Sequence, residues 1–293
     1  MVDFFINYLQ FERRYSKHTL TAYKADLLKF QNHLEIFYPD LEIDQVDYRS
    51  IRSWIISLKE EDLDSRSINR KIATLRSFYK FLLSEEKIKY DPTQKLKILK
   101  MKKSLPNFVG QKDILSLLDQ HIFSDDFFGW RDKLILELLY ATGMRLSELI
   151  NLKETDISSY DGIIKVKGKR SKERFIPFTK NLEKIIKNYI CKKNEYFESN
   201  SYDFLIVTNI QEQSYPMLIY RIVKKHLDMY TTVEKRSPHV LRHTFATHLL
   251  DKGADLNAVK DLLGHTGLAA TQVYTHNTLD KLKKIFDQAH PKA

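Results

Sequence analysis

The strongest constraint on the fold lies near the C-terminus, in the run from His239 to His276, HVLRHTFATHLLDKGADLNAVKDLLGHTGLAATQVYTH. Ser237-Pro238 is a helix-start signal, and Gly253 suits the left-handed residue that follows a helix, so the pattern predicts a helix over about 239 to 252. Leu241, Phe245, Leu249 and Leu250 form its apolar stripe. His239 and Arg242, three apart, share one face. A second short helix, Leu256 to Leu263, stops at Gly264 and delivers His265 at its end, and Tyr274 follows nine residues later. Two histidines, an arginine and a tyrosine thus ride on adjacent helical elements. That set suits phosphodiester chemistry without a metal: a cation for the phosphate, imidazoles for protons and hydrogen bonds, a phenol as nucleophile.

A chain of 293 residues has room for one large domain or two ordinary ones, and 43% hydrophobic residues are enough for a real core. No run of about 18 apolar residues is present, so no membrane span is expected. The first residues, MVDFFINYLQFERR, lack the basic start, apolar core and cleavage site of a signal peptide. A single cysteine, Cys191, excludes an internal disulfide and a cysteine-rich zinc site, and fits a reducing cytoplasm. Lysine and arginine outnumber the acids 48 to 38, an excess that fits a polyanionic partner.

Residues 1–90 read as helices joined by short turns. Phe4, Phe5, Tyr8, Leu9 and Phe11 mark the first, and Ser16 caps a second that runs to about Phe37. A third covers Tyr48 to Glu60. Ser65 or Ser67 opens a fourth, whose apolar positions are Ile68, Ile72, Leu75, Phe78, Tyr79 and Leu82. The other face of that helix bears Arg66, Asn69, Arg70, Lys71 and Arg76. The segment 91–105 has no strong period and holds Lys95, Lys97, Lys100, Lys102 and Lys103; it reads as a basic interdomain linker crossing a phosphate backbone. Beyond Pro106 come a short helix (Asp113 to Gln120), a leucine-rich buried one (Trp130 to Tyr140) and a Gly-containing turn that leads into a helix opened by Arg145, with Glu148 three residues on. Residues 162–178 read as two strands that place Ile164 and Val166 on one face, with a basic turn between Gly168 and Ser171. Helices are predicted again over Asn181 to Phe197 and Pro216 to Tyr230, around a short buried run at 204–207, and a last amphipathic helix over 278–288.

The joint pattern H-x-x-R at 239–242, L-G-H at 263–265 and Tyr274, with A-T-G-M-R-L-S-E-L at 141–149, resembles the tyrosine recombinase (phage integrase) family, and within it the Xer-type recombinases of bacteria. S-x-x-T-x-x-x-Y-x-x-D-L at 16–27 and N-R-K-x-x-x-L-R-S-F-Y at 69–79 resemble that family's N-terminal core-binding domain. The resemblance implies a mainly α fold with a small β-hairpin or sheet. Its parts would be a four-helix, SAM-like core-binding domain over 1–90, the linker, and an α+β catalytic domain over 106–293, together a C-shaped clamp on DNA. The terminal helix would dock on a neighbouring protomer.

The resemblance also implies roles. Tyr274 attacks a scissile phosphate and becomes linked to the 3′-phosphate. Arg145 and Arg242 hold its non-bridging oxygens, with Glu148 supporting Arg145. His265 adds a hydrogen bond, and His239 is placed to accept the tyrosine proton. Lys169, matched to the family's G-K-x-x-K-E-R pattern, protonates the leaving 5′-oxygen, with Lys172 left open as its alternative. DNA contacts would come from Arg66, Arg70, Lys71 and Arg76, from Lys100, Lys102 and Lys103, and from Lys167, Arg170 and Lys172 on the hairpin. The expected partner is a double-stranded recombination site, bound by a tetramer of this chain or by a mixed tetramer with a paralogous recombinase. No metal, ATP or other cofactor is expected. A type IB topoisomerase would use nearly the same residues, and a non-catalytic DNA-binding protein remains a second alternative. A zinc hydrolase built on His239, His243 and His248 lacks the glutamate of an H-E-x-x-H site.

Overall fold

The computed structural model describes residues 1–101, 107–168, 173–198, 203–264, 288–289 and 291–292. It divides into two compact units, Met1–Ser104 and Leu105–Ala293.

In the first unit, α1 (Val2–Phe11), α2 (Lys17–Phe37), α3 (Tyr48–Glu60) and α4 (Ser65–Ser84) surround a core that includes Phe5, Leu27, Phe30, Trp54, Ile72, Phe78 and Tyr79. Ser16 caps α2 by accepting from the Thr19 amide at 3.3 Å. The cap of α4 is Asp64, not Ser65 or Ser67: its carboxylate accepts from the amides of both Arg66 (2.8 Å) and Ser67 (2.9 Å). An ionised acceptor at the positive end of a helix outcompetes a nearby hydroxyl. The stretch expected as linker is fastened to this unit as far as Leu99. Leu96 is buried and its carbonyl accepts from Arg76 at 2.6 Å, while Leu99 exchanges two hydrogen bonds with the Asn69 amide group.

The second unit is organised on α6 (Phe127–Thr142), preceded by α5 (Gln111–Leu115) and a π-helical turn, Ser116–Gln120. Leu134, Ile135, Leu136, Leu138, Leu139 and Tyr140 of α6 are all fully buried, so this helix is enclosed on every side. After α7 (Leu146–Ile150) come β1 (Ile157–Ser158), β2 (Ile163–Lys167) and β3 (Glu173–Pro177), an antiparallel sheet in that order. Its register sets Val166 opposite Arg174 and Ile164 opposite Ile176. The expected hairpin is present; β1, only two residues long, adds an edge that periodicity does not register. Against α6 pack α8 (Lys180–Phe197), α9 (Pro216–Tyr230) and α10 (Pro238–Asp251), and α11 (Leu256–Leu263) closes on α10. On α10 the buried residues are Pro238, Val240, Leu241, Thr244, Phe245, His248 and Leu249; Leu250, expected in the stripe, is exposed. Among the described residues no helix is long and apolar enough to cross a membrane. The fold is therefore mainly α with one small antiparallel sheet.

Of the tail, 278–287 lie outside the described residues. Ala289 is buried with Phe245, Leu249, Val259, Leu262 and Leu263, and the Lys292 ammonium pairs with Asp119 (2.8 Å) and Glu137 (2.5 Å). Those contacts are all with the tail's own unit.

Candidate active site

Arg145 stands where α6 ends and α7 begins. The turn between them is possible because Gly143 takes a left-handed conformation (φ +58°) in a place without room for a side chain: a Cβ there would lie 2.4 Å from the Phe245 ring. Arg145 is thereby held beside α10 and the end of α11. Its amide donates to Glu148 Oε2 at 2.6 Å, its Nη1 to Glu148 Oε1 at 2.8 Å, and its Nη2 to the carbonyl of Gly264 at 2.6 Å.

Arg242 projects from the first turns of α10 and donates to the carbonyls of Gly143 and, at 2.6 Å, Leu263. A third guanidinium enters from the sheet. Arg174 donates through Nε to the carbonyl of Leu262 at 3.0 Å and through both Nη atoms to Glu148, at 2.5 and 2.8 Å. Three successive carbonyls at the C-terminal end of α11, those of 262, 263 and 264, therefore each accept from a different arginine. The last carbonyls of a helix have no partner within it and lie at the negative end of its dipole, so they suit cations. Gly264, left-handed at φ +62°, ends the helix there.

Three guanidiniums face a single carboxylate. Burial alone would raise the Glu148 pKa, but the hydrogen bond and charge of Arg174, followed by Arg145, outweigh it and hold the carboxyl below its ordinary value. Burial, then the charges of Arg145 and Arg174, press Arg242 down to about 10 against the pull of Glu148, so it is still a cation at neutral pH. Arg145 keeps 27% of its side chain exposed, whereas Arg174 keeps 5%. A guanidinium has five N–H donors, so Arg145 and Arg242 retain several after their contacts with the described residues. An oriented, under-neutralised arginine pair of this kind suits an oxyanion that gains charge during a reaction.

His239 is exposed at the start of α10, three residues before Arg242. His265 follows Gly264 directly in sequence but lies outside the described residues, as do Tyr274 and, between β2 and β3 in sequence, Lys169, Arg170 and Lys172. The three α10 histidines do not converge. His243 is exposed, while His248 is buried, bonds through Nδ1 with the Tyr140 hydroxyl at 3.1 Å, and has its pKa lowered by burial.

Residues 108–280 match the Phage integrase family, and residues 2–86 match the family's N-terminal SAM-like domain. The chain belongs to the phage integrase family. It is 40% identical to the tyrosine recombinase XerC of Staphylococcus aureus, over 99% of this chain and 96% of that protein. To the XerC of Chlorobaculum tepidum it is 34% identical, over 99% of this chain and 94% of the relative. Its fold is similar to that of the XerH recombinase bound to its difH substrate (TM-score 0.67, 22% identity, covering 92% of this chain and 76% of that one). It is also similar to residues 75–356 of lambda integrase bound to a core site (TM-score 0.68, 16% identity, covering 93% and 98%).

In this phage integrase family chain, the basic residues expected at DNA fare unequally. Arg66 and Lys100 are exposed, and Lys167 is exposed at the end of β2, 3.9 Å from Glu173. Arg76 is half-buried on the Leu96 carbonyl, and Arg70 is half-exposed and ion-paired with Asp26. Lys71 is not a surface residue. It is buried, its ammonium 2.7 Å from the buried Asp26, because it lies on the same side of α4 as Ile68, Ile72 and Leu75. Lys102 and Lys103 lie outside the described residues. Sequence reasoning missed Arg174. The signal was present in the strand alternation: Arg174 and Ile176 share the buried face of β3, and a buried arginine requires a carboxylate.

Proposed function

We propose that this chain is a site-specific DNA recombinase that breaks and rejoins strands through a 3′-phosphotyrosyl intermediate. In the cleavage step the Tyr274 oxygen forms a bond to the scissile phosphorus as the bond to the 5′-oxygen breaks. His239 accepts the phenolic proton and Lys169 supplies one to the departing 5′-oxygen, so no alkoxide is released. Arg145 and Arg242 offset the charge that grows on the non-bridging oxygens, Glu148 orients Arg145, and His265 adds a hydrogen bond. The phosphodiester energy is kept in the covalent link, and a 5′-hydroxyl from the partner duplex reverses the chemistry onto a new strand.

The observation that supports this reading best is the oriented surplus of guanidinium charge around Glu148, in a chain 40% identical to a XerC recombinase over 99% of its length. The near full-length likeness favours strand exchange over the nick-and-reseal cycle of a type IB topoisomerase. The functional assembly is a tetramer on two DNA sites, of this chain alone or shared with a paralogous recombinase, acting in the cytoplasm on chromosome dimers. Each unit contributes basic residues to the duplex, and the basic segment that includes Lys100, Lys102 and Lys103 adds phosphate contacts.

The test uses a nicked suicide substrate, from which the short segment carrying the freed 5′-hydroxyl diffuses away, so that the covalent intermediate is trapped. The unaltered chain accumulates a protein–DNA adduct. Tyr274→Phe binds DNA with unchanged affinity and forms none. An undiminished adduct in that variant would assign the nucleophile elsewhere.

A further inference from the structure

We propose that Arg174 is a positioning residue for strand cleavage: it fixes the Glu148 carboxylate from behind, so that Arg145 is held with its free donors directed at the phosphate. The inference rests on the reading of this site as a strand-cleaving centre and adds to it a residue that never touches the substrate.

The geometry of one carboxylate leads to it. Glu148 Oε1 accepts from Arg145 Nη1 (2.8 Å) and Arg174 Nη1 (2.5 Å), while Oε2 accepts from the Arg145 amide (2.6 Å) and Arg174 Nη2 (2.8 Å). A carboxylate offers about four acceptor positions, and here all four are filled. The two bonds from Arg174 form a bidentate fork, the arrangement that fixes the plane of a carboxylate as well as its place. Arg145 then meets Glu148 through only one Nη, which leaves its other Nη for the Gly264 carbonyl at 2.6 Å. Without the Arg174 fork, Arg145 would be the only guanidinium hydrogen-bonded to Glu148 among the described residues, because Arg242 is held on the Gly143 and Leu263 carbonyls. Both of its terminal nitrogens would turn onto Glu148, away from Gly264 and from any phosphate.

Arg174 also sets the second anchor. Its Nε holds the Leu262 carbonyl, two residues before Gly264, and its side chain packs on that turn so closely that a Cβ on Gly264 would lie 3.0 to 3.3 Å from the Arg174 Cδ, Nη1 and Nε. Both groups that orient Arg145 are thus fixed by one side chain, which stands on β3 opposite Val166 and is itself buried. A lysine could supply the charge but not the fork, because an ammonium is a point donor.

Arg174→Lys in the full chain tests the relay, with fold, DNA affinity at fixed salt and single-turnover adduct formation measured together. The expected variant folds and binds DNA within about threefold of the unaltered chain, but forms adduct about 30-fold more slowly at pH 7.5, the loss of an oriented transition-state donor. A substrate with sulfur in place of the bridging 5′-oxygen does not close that gap, since proton donation to the leaving group is intact. The gap widens as pH falls, because burial raises the Glu148 pKa once its main counter-charge is weakened, and a protonated Glu148 no longer orients Arg145. An unchanged adduct rate per folded molecule overturns the proposal, and so does full rescue by sulfur, which would place the defect in the hairpin. Glu148→Gln probes the same relay at its middle; a full rate there overturns it as well, even if Arg174→Lys does not fold. No adduct from the unaltered chain would instead refute the reading on which the relay rests.

Discussion

Asp26 in the first unit and Glu148 in the second are both buried carboxylates clasped by two basic side chains. Asp26 accepts from Arg70, from Lys71 at 2.7 Å and from the Thr74 hydroxyl at 3.0 Å, and the cluster ties α2 to α4. Glu148 accepts from Arg145 and Arg174, but a third guanidinium, Arg242, stands with them and is hydrogen-bonded to no acid among the described residues; it is held by the carbonyls of Gly143 and Leu263. A carbonyl orients a guanidinium without cancelling its charge, whereas a carboxylate does both. The first cluster has two cations per carboxylate and joins helices. The second has three, and leaves positive charge fixed in place for something outside the protein.

Substitutions should separate the two clusters, beginning with the largest effect. Arg242→Ala should slow adduct formation on the order of 10³-fold while leaving DNA affinity nearly intact, because the lost interaction strengthens only as phosphate charge grows. A single-turnover time course reads this directly, and a loss under tenfold would put Arg242 on a par with the structural cations of the first cluster. Asp26→Ala should destabilise the first unit by about 3–5 kcal/mol, since it leaves the Lys71 ammonium buried without its partner. Urea unfolding measures that cost, and a change near zero would mean that Lys71 reaches water.

Salt dependence sharpens the contrast within α4. Arg66→Ala should reduce the slope of log affinity against log salt by about 0.9, the contribution of one phosphate contact, while Lys71→Met should leave it unchanged. The smallest effect concerns pH. The folded pKa of Glu148 is depressed, so its stabilisation is present above the ordinary carboxyl value and is lost as pH falls through the lowered one. The difference in unfolding midpoint between the unaltered chain and Glu148→Gln should therefore narrow on acidification below about pH 4.5 and stay constant above it.

Much of this was legible in the sequence where the signal was local. The bounds of α3, α9 and α11 follow from apolar spacing and, for the last two, from Pro216 and Gly264, and Arg145 with Glu148 is a neighbouring pair on one short helix. What escaped was set by distant partners. Lys71 and Asp26 are 45 positions apart, and nothing in the local pattern of α4 distinguishes a lysine that meets a buried acid from one that meets solvent. Arg174 and Glu148 are 26 apart on different elements. Strand alternation could place Arg174 inward, but only the packed structure joins it to Glu148 and to the end of α11. Leu250 was misplaced for a related reason: the buried face of α10 takes in His248, which Tyr140 satisfies, and so turns Leu250 outward.

The central claim is that the charge left over around Glu148 exists to meet the charge of a phosphate. It is tested most directly by replacing one non-bridging oxygen of the scissile phosphate with a methyl group, which removes the negative charge and preserves the bond to be broken. Adduct formation on this neutral substrate should be nearly as fast in Arg145→Ala and Arg242→Ala as in the unaltered chain, while both variants remain on the order of 10³-fold slower on ordinary DNA. Defects of equal size on the charged and the neutral substrate would contradict the account.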